Sequence, residues 1–127
     1  MKKFLGSKKI KTAVFISGTG SNLRSLVKYS LLKKAPIKIS LVISNNSKAK
    51  GLIYAKQKKI KQIVYKFKKR TVDENKILNN LKKEKINLIC LAGFMKILSK
   101  HFIKKFKGKI LNVHPSLLPR YKGLNTH

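Results

Sequence analysis

Short apolar runs alternate along this chain with segments in which apolar residues return every three or four positions, and no other feature constrains the fold as much. A strand buried on both faces reads as a continuous apolar run, whereas a helix laid on a sheet shows a 3.6-residue period. Residues 12–17 form the first run and end in Gly18-Thr19-Gly20-Ser21, a tight loop. From Asn22 onward, Leu23, Leu26, Val27 and Leu31 recur at helical spacing until Ala35-Pro36, where proline stops the pattern. Residues 37–44 are a second strand, Asn45-Asn46-Ser47 supply a turn and an N-cap, and residues 48–59 read as a second helix. A weaker strand covers 62–67. Thr71-Val72-Asp73-Glu74 has the spacing of a capping box, with Ile77, Leu78 and Leu81 lining one face of the helix behind it. Residues 88–92 are the most apolar strand, closed by Gly93, followed by a short helix over 99–106 and a strand over 109–113.

This order predicts an α/β fold, a Rossmann-like, mainly parallel sheet with flanking helices and right-handed crossovers. With 127 residues there is room for one domain, read as 12–127 behind a basic leader at 1–11. A 43% hydrophobic content excludes a disordered tail and is enough for a single core. The apolar runs are too short to cross a bilayer, and the start Met1-Lys2-Lys3-Phe4-Leu5-Gly6 lacks the apolar stretch of a signal peptide. The expectation is a cytoplasmic chain, and the single Cys90 suits a reducing compartment.

The formal charge is +29, from 32 Lys or Arg against 3 Asp or Glu. Only Arg24, Arg70 and Arg120 are arginines, whereas nucleic-acid recognition often exploits the planar guanidinium fork. Lysine is spread almost end to end, alongside abundant isoleucine and asparagine, as an AT-biased coding sequence would give. Such a surface binds polyanions weakly, non-specifically and in a salt-dependent way, and it draws in small anions.

In parallel sheets ligands collect at the carboxyl ends of strands, so three segments carry the expected chemistry. The first, Ser17 to Asn22, is a glycine loop entering a helix, where backbone amides and the helix dipole suit a phosphate. Leu23 stands where a dinucleotide fingerprint has its third glycine, and no Gly-Lys-Ser/Thr follows, so a phosphate monoester held by Gly20, Ser21 and Asn22 fits better than NAD or ATP. The second, Gly93 to Leu98, is either core packing or an apolar slot for a flat ring. In the third, Asn112-Val113-His114-Pro115, alternation sets Asn112 and His114 on one face at a strand end. An amide donor and an imidazole there can hold an oxyanion and manage a proton. The acidic residues Asp73, Glu74 and Glu84 lie on one predicted helix, which leaves no carboxylate pair. His101, His114 and His127 lack metal-ligand spacing, so no metal is expected. Cys90, inside an apolar strand, reads as a buried, inert thiol.

Taken in order, residues 16–23, 91–99 and 111–127 resemble the folate-dependent formyltransferases, and the glycine loop with the closing Gly123-Leu124-Asn125-Thr126-His127 resembles the branch of purine biosynthesis. The resemblance implies formyl transfer from 10-formyltetrahydrofolate, as co-substrate, to the amine of phosphoribosylglycinamide. It implies that Gly20, Ser21 and Asn22 hold the 5′-phosphate and that Met95, Lys96, Ile97 and Leu98 line the folate slot together with Asn112. An ungapped count back from Gly93 sets Arg70 at the family's folate-contacting arginine. Asn112 and His114 match the catalytic pair. Family members continue past the Gly-Leu-x-Thr-His segment into a part carrying an aspartate that charges the histidine. The chain is therefore expected to be the amino-terminal, incomplete part of such an enzyme, with exposed sheet surface prone to self-association. The alternatives are a methionyl-tRNA formyltransferase type and a catalytically incomplete module binding phosphate, polyanions or a partner chain.

Overall fold

A computed structural model describes residues 8–113. The elements run β1 (Ile10–Ile16), α1 (Ser21–Ser30), β2 (Ile37–Ser44), α2 (Lys50–Gln57), β3 (Lys61–Val64), α3 (Arg70–Lys83), β4 (Leu88–Leu91), α4 (Lys100–Lys105) and β5 (Lys109–Asn112). Among the described residues five strands form one sheet, all parallel, in the order β3-β2-β1-β4-β5. The expected α/β architecture with a parallel sheet is what forms. The chain builds outward from β1 in one direction and then returns to β1's other side with β4. The order therefore reverses between β1 and β4, and at the carboxyl ends of the strands such a reversal is where parallel sheets ordinarily receive a ligand.

Side-chain alternation divides the core into two layers. Val14 and Ile16 of β1 join Leu23, Leu26 and Val27 of α1 and Leu52 and Ala55 of α2 on one face. Ala13 and Phe15 join Ile77 and Leu81 of α3 and Phe102 of α4 on the other. In β2, Ile39 and Val42 reach the same layer although they are an odd number of residues apart. The register with β1 shifts between Thr12 and Ala13, pairing Thr12 with Ile39 and Ala13 with Leu41. This bulge inserts Ser40 and swaps the parity of the rest of the strand.

Several expected boundaries shift for identifiable reasons. Helix α1 ends at Ser30 rather than running to Ala35, and Leu31 is 71% exposed instead of lining the helix face. The Lys9 ammonium donates to the Ser30 and Leu32 carbonyls, at 2.7 and 2.8 Å, satisfying the acceptors that a longer helix would have used. Strand β3 stops at Val64, and Phe67 turns the chain away with a φ of 58°. Asn46 makes the expected turn, its Oδ1 accepting from the Lys48 amide at 2.9 Å, but the N-cap of α2 is Ala49, not Ser47. The capping box does not form. Lys69 is the N-cap of α3, Thr71 lies inside the helix, and the buried Glu74 carboxylate instead accepts from the Ser99 amide (2.8 Å) and the Ser99 hydroxyl. Ser99 in turn caps α4 by accepting from the Phe102 amide at 3.0 Å.

Candidate active site

The β1–α1 turn is held by one close approach between glycines. Gly20, the N-cap of α1, has a φ of 82°, and a Cβ built on it would lie 2.6 Å from the Gly51 Cα. Only a residue without Cβ fits both the left-handed backbone and this gap. The Gly51 amide donates to the Gly18 carbonyl at 3.2 Å, so the start of α2 braces the turn. Among the described residues no side chain caps α1, and its first turn contains no acid; its leading amides lie beside Ser21, exposed, and Asn22, half-buried. That end of the helix carries the positive end of the dipole.

The β4–α4 loop splits into anchored and projecting residues. Phe94 packs edge-on against Phe15 (5.3 Å between centroids) and Phe67 (5.6 Å), and Leu98 is buried beside Phe102 in the α3/α4 layer. Met95 and Ile97 point the other way and are 79% and 78% exposed, with Lys96 exposed between them. Core packing thus accounts for Phe94 and Leu98 and leaves Met95 and Ile97 unexplained by burial. Arg70, at the start of α3, donates from Nη2 to the Ile97 carbonyl at 2.6 Å, and its Nε lies 3.9 Å from the Glu74 carboxylate.

Ser17 joins the two loops. Its hydroxyl donates to Asn45 Oδ1 and accepts from the Met95 amide at 2.8 Å, while its carbonyl accepts from Asn46 Nδ2 at 3.3 Å. On the far side of β4, Asn112 ends β5 in register with Leu91 and is exposed. The fold thus brings Gly20–Asn22, Arg70, residues 95–98 and Asn112 to one edge of the sheet. His114 lies outside the described residues.

Reasoning from sequence gave Ser17 only as the start of the glycine loop, Asn45 and Asn46 only as a turn and Glu74 only as part of a capping box, and it missed Gly51; together these lock this edge. Gly51, a glycine inside a helical segment, was the legible signal among them. Burial pushes the Cys90 thiol up to about 11, which keeps it protonated and unreactive at neutral pH. Among the described residues no group of three or more His, Cys, Asp or Glu is placed to hold a metal ion, and no helix is long and apolar enough to cross a membrane. Two open clefts, of about 640 and 660 Å³, lie at the opposite, amino-terminal edge, the first beside Asn87 and His101 and the second beside Lys11, Lys38 and Lys61. Among the described residues, the carboxyl-end site is built from loop backbone and the side chains that project from it.

Comparison with known proteins decides the family, since the model described as formyl transferase matches residues 10–127. The chain belongs to the formyl transferase family. It is 46% identical over 120 residues to phosphoribosylglycinamide formyltransferase of Haemophilus influenzae, covering 92% of this chain and 57% of that protein. It is 43% identical over 123 residues to the human trifunctional purine biosynthetic protein adenosine-3, covering 94% of this chain and 12% of that one. The crystal structure of phosphoribosylglycinamide formyltransferase from Brucella melitensis superposes with a TM-score of 0.79 at 40% identity, over 94% of this chain and 64% of that one. The chain spans little more than half the length of the bacterial relative it matches. Within a formyl transferase, the switch point between β1 and β4 is the expected position for chemistry.

Proposed function

We propose that this chain carries the phosphate-binding and folate-facing part of an enzyme that transfers a formyl group from 10-formyltetrahydrofolate to the amine of phosphoribosylglycinamide, in purine biosynthesis. The observation that carries the reading is the convergence, at one sheet edge, of an uncapped helix start behind Gly20 and a loop projecting Met95 and Ile97 beside Arg70. Relatives of 46% and 43% identity that bear purine-biosynthetic names support it.

Each group has a physical task. The amides behind Gly20, with the Ser21 hydroxyl and the Asn22 side chain, offer donors to a phosphate monoester. The exposed Met95 and Ile97 side chains suit the face of a flat ring, and the surrounding backbone suits its polar edge. Leu98 supports that loop from within the core, while Lys96 and the Arg70 guanidinium bring positive charge to a ligand that carries carboxylates. When bound, the folate supplies an activated formyl group. The Asn112 amide donates to the formyl oxygen as the attacking amine forces charge onto it. His114, as the imidazolium, stabilises the same charge and passes its proton to the nitrogen that departs, while the attacking nitrogen gives up one of its own protons and so returns the imidazole to its charged form.

The test is a formyl-transfer assay with phosphoribosylglycinamide and 10-formyltetrahydrofolate on this chain completed by the carboxyl-terminal part of a relative such as the Haemophilus influenzae protein, of which it covers 57%. Asn112→Ala should lower the turnover rate by about a hundred- to a thousand-fold while leaving the affinity for the phosphate ester unchanged. A rate indifferent to Asn112→Ala and to His114→Ala would remove the reading.

A further inference from the structure

We infer that Ser17 is a positioning residue that couples the phosphate cradle to the folate-facing loop, so that filling either subsite tightens the other. The inference rests on the proposed function for the identity of the two ligands, and its structural core stands apart from it.

Ser17 sits at the switch point, immediately after β1, and is 9% exposed. A hydroxyl offers one proton and two lone pairs. Here the proton goes to Asn45 Oδ1 in the loop after β2, and a lone pair takes the Met95 amide of the loop after β4, at 2.8 Å. The Asn46 side chain grips the Ser17 carbonyl at 3.3 Å. One side chain therefore ties three loops that leave the sheet from separate strands. Its placement matters in both directions along the chain. Three residues downstream, Gly20 opens α1 and its donors, and the intervening turn is braced by the Gly18 to Gly51 hydrogen bond. Across the switch point, the amide that Ser17 holds belongs to Met95, the first of the projecting residues, just past Gly93 with its φ of 72°.

A phosphate ester seated on α1 fixes the turn from Ser17 to Gly20 and with it the direction of the Ser17 hydroxyl. A ligand lying on Met95 and Ile97 fixes the Met95 amide and so the same hydroxyl. Each ligand removes freedom that the other would otherwise have to remove, and by linkage the two effects are equal in size.

The test is calorimetric titration of the full chain with phosphoribosylglycinamide and with tetrahydrofolate, each alone and in the presence of the other, for the unaltered chain, Ser17→Ala and Ser17→Thr. In the unaltered chain each ligand should tighten the other by about five-fold or more, the lower end of ordinary coupling. Ser17→Ala should bring that factor to one and speed exchange of the Met95 amide hydrogen by up to about ten-fold, the loss of one hydrogen bond. Ser17→Thr, which keeps the hydroxyl, should restore both. Asn45→Ala, which removes the acceptor and leaves Ser17 in place, gives a second perturbation should Ser17→Ala fail to fold, and it too should reduce the coupling. Coupling that survives both Ser17→Ala and Asn45→Ala overturns the inference while leaving the proposed function intact. Failure of the unaltered chain to bind either ligand overturns both.

Discussion

Replacing Gly20 and Gly93 in turn by alanine separates backbone strain from close approach. Both glycines have positive φ, 82° and 72°, so alanine at either position meets the left-handed penalty of about 1–2 kcal/mol, partly offset by about 0.4–1 kcal/mol from a less flexible unfolded chain. Their surroundings differ. Among the described residues a Cβ on Gly93 meets nothing within 4 Å, whereas one on Gly20 lies 2.6 Å from the Gly51 Cα, a backbone atom that cannot swing aside. Relieving that overlap adds about 1–3 kcal/mol. Gly20→Ala should therefore cost about 2–4 kcal/mol and Gly93→Ala about 1 kcal/mol. Urea unfolding of small domains falls by about 1–3 kcal/mol per molar, so the two midpoints should differ by about 1 M. Gly20→Ala should also abolish binding of phosphoribosylglycinamide, since α1 can no longer start against α2, while Gly93→Ala should retain it. Equal losses of stability in the two variants would refute the claim that the Gly20–Gly51 approach shapes the cradle.

Other expectations concern the buried polar groups and titration. Glu74→Gln turns one of two acceptors facing Ser99 into a donor, and a loss of about 1–3 kcal/mol in urea unfolding is expected, while an unchanged midpoint would contradict the assigned hydrogen bonds. Cys90, with its thiol raised to about 11 by burial, should resist iodoacetamide at pH 8 until the chain unfolds, and rapid alkylation of folded chain would count against its burial. Because its native value lies above the unfolded one, the Cys90 contribution is complete below the ordinary thiol pKa and declines as pH rises toward 11; comparison with Cys90→Ala isolates it from lysine titration. The Glu84 carboxyl is lowered first by its hydrogen bond from Lys61, so its contribution is present above the ordinary carboxylate value and is lost as pH falls through the native one. Carbon-detected titration of Glu84 should move toward the ordinary value in Lys61→Ala.

Much of this molecule was legible in its sequence because burial on both faces of a parallel sheet leaves apolar runs such as residues 13–16 within 12–17, and 88–92. The glycine loop was legible too, since few roles other than a tight strand-to-helix turn need Gly20 before an amphipathic segment. What escaped depended on partners distant in sequence. The Thr71 to Glu74 spacing fits a capping box, yet Ser99, 25 residues away, offers Glu74 two donors and wins it. Leu31 keeps helical spacing, but Lys9 terminates the helix from 21 residues upstream of Ser30. The extra Ser40 in β2 is invisible locally, because only pairing with β1 reveals which residue is skipped. The segment Gly93–Leu98 could not be divided into anchors and projections until Phe15 and Phe67 enclosed Phe94.

The central claim is that the carboxyl edge of the sheet, and not the lysine-rich surface at large, receives the phosphate ester. Titrating phosphoribosylglycinamide into isotopically labelled chain at moderate salt and following backbone amide resonances tests it most directly. Saturable shifts concentrated at residues 17–22 and at Gly51, persisting as salt is raised, are expected. Shifts distributed over lysines of the amino-terminal edge, such as Lys11, Lys38 and Lys61, and fading with salt would contradict it.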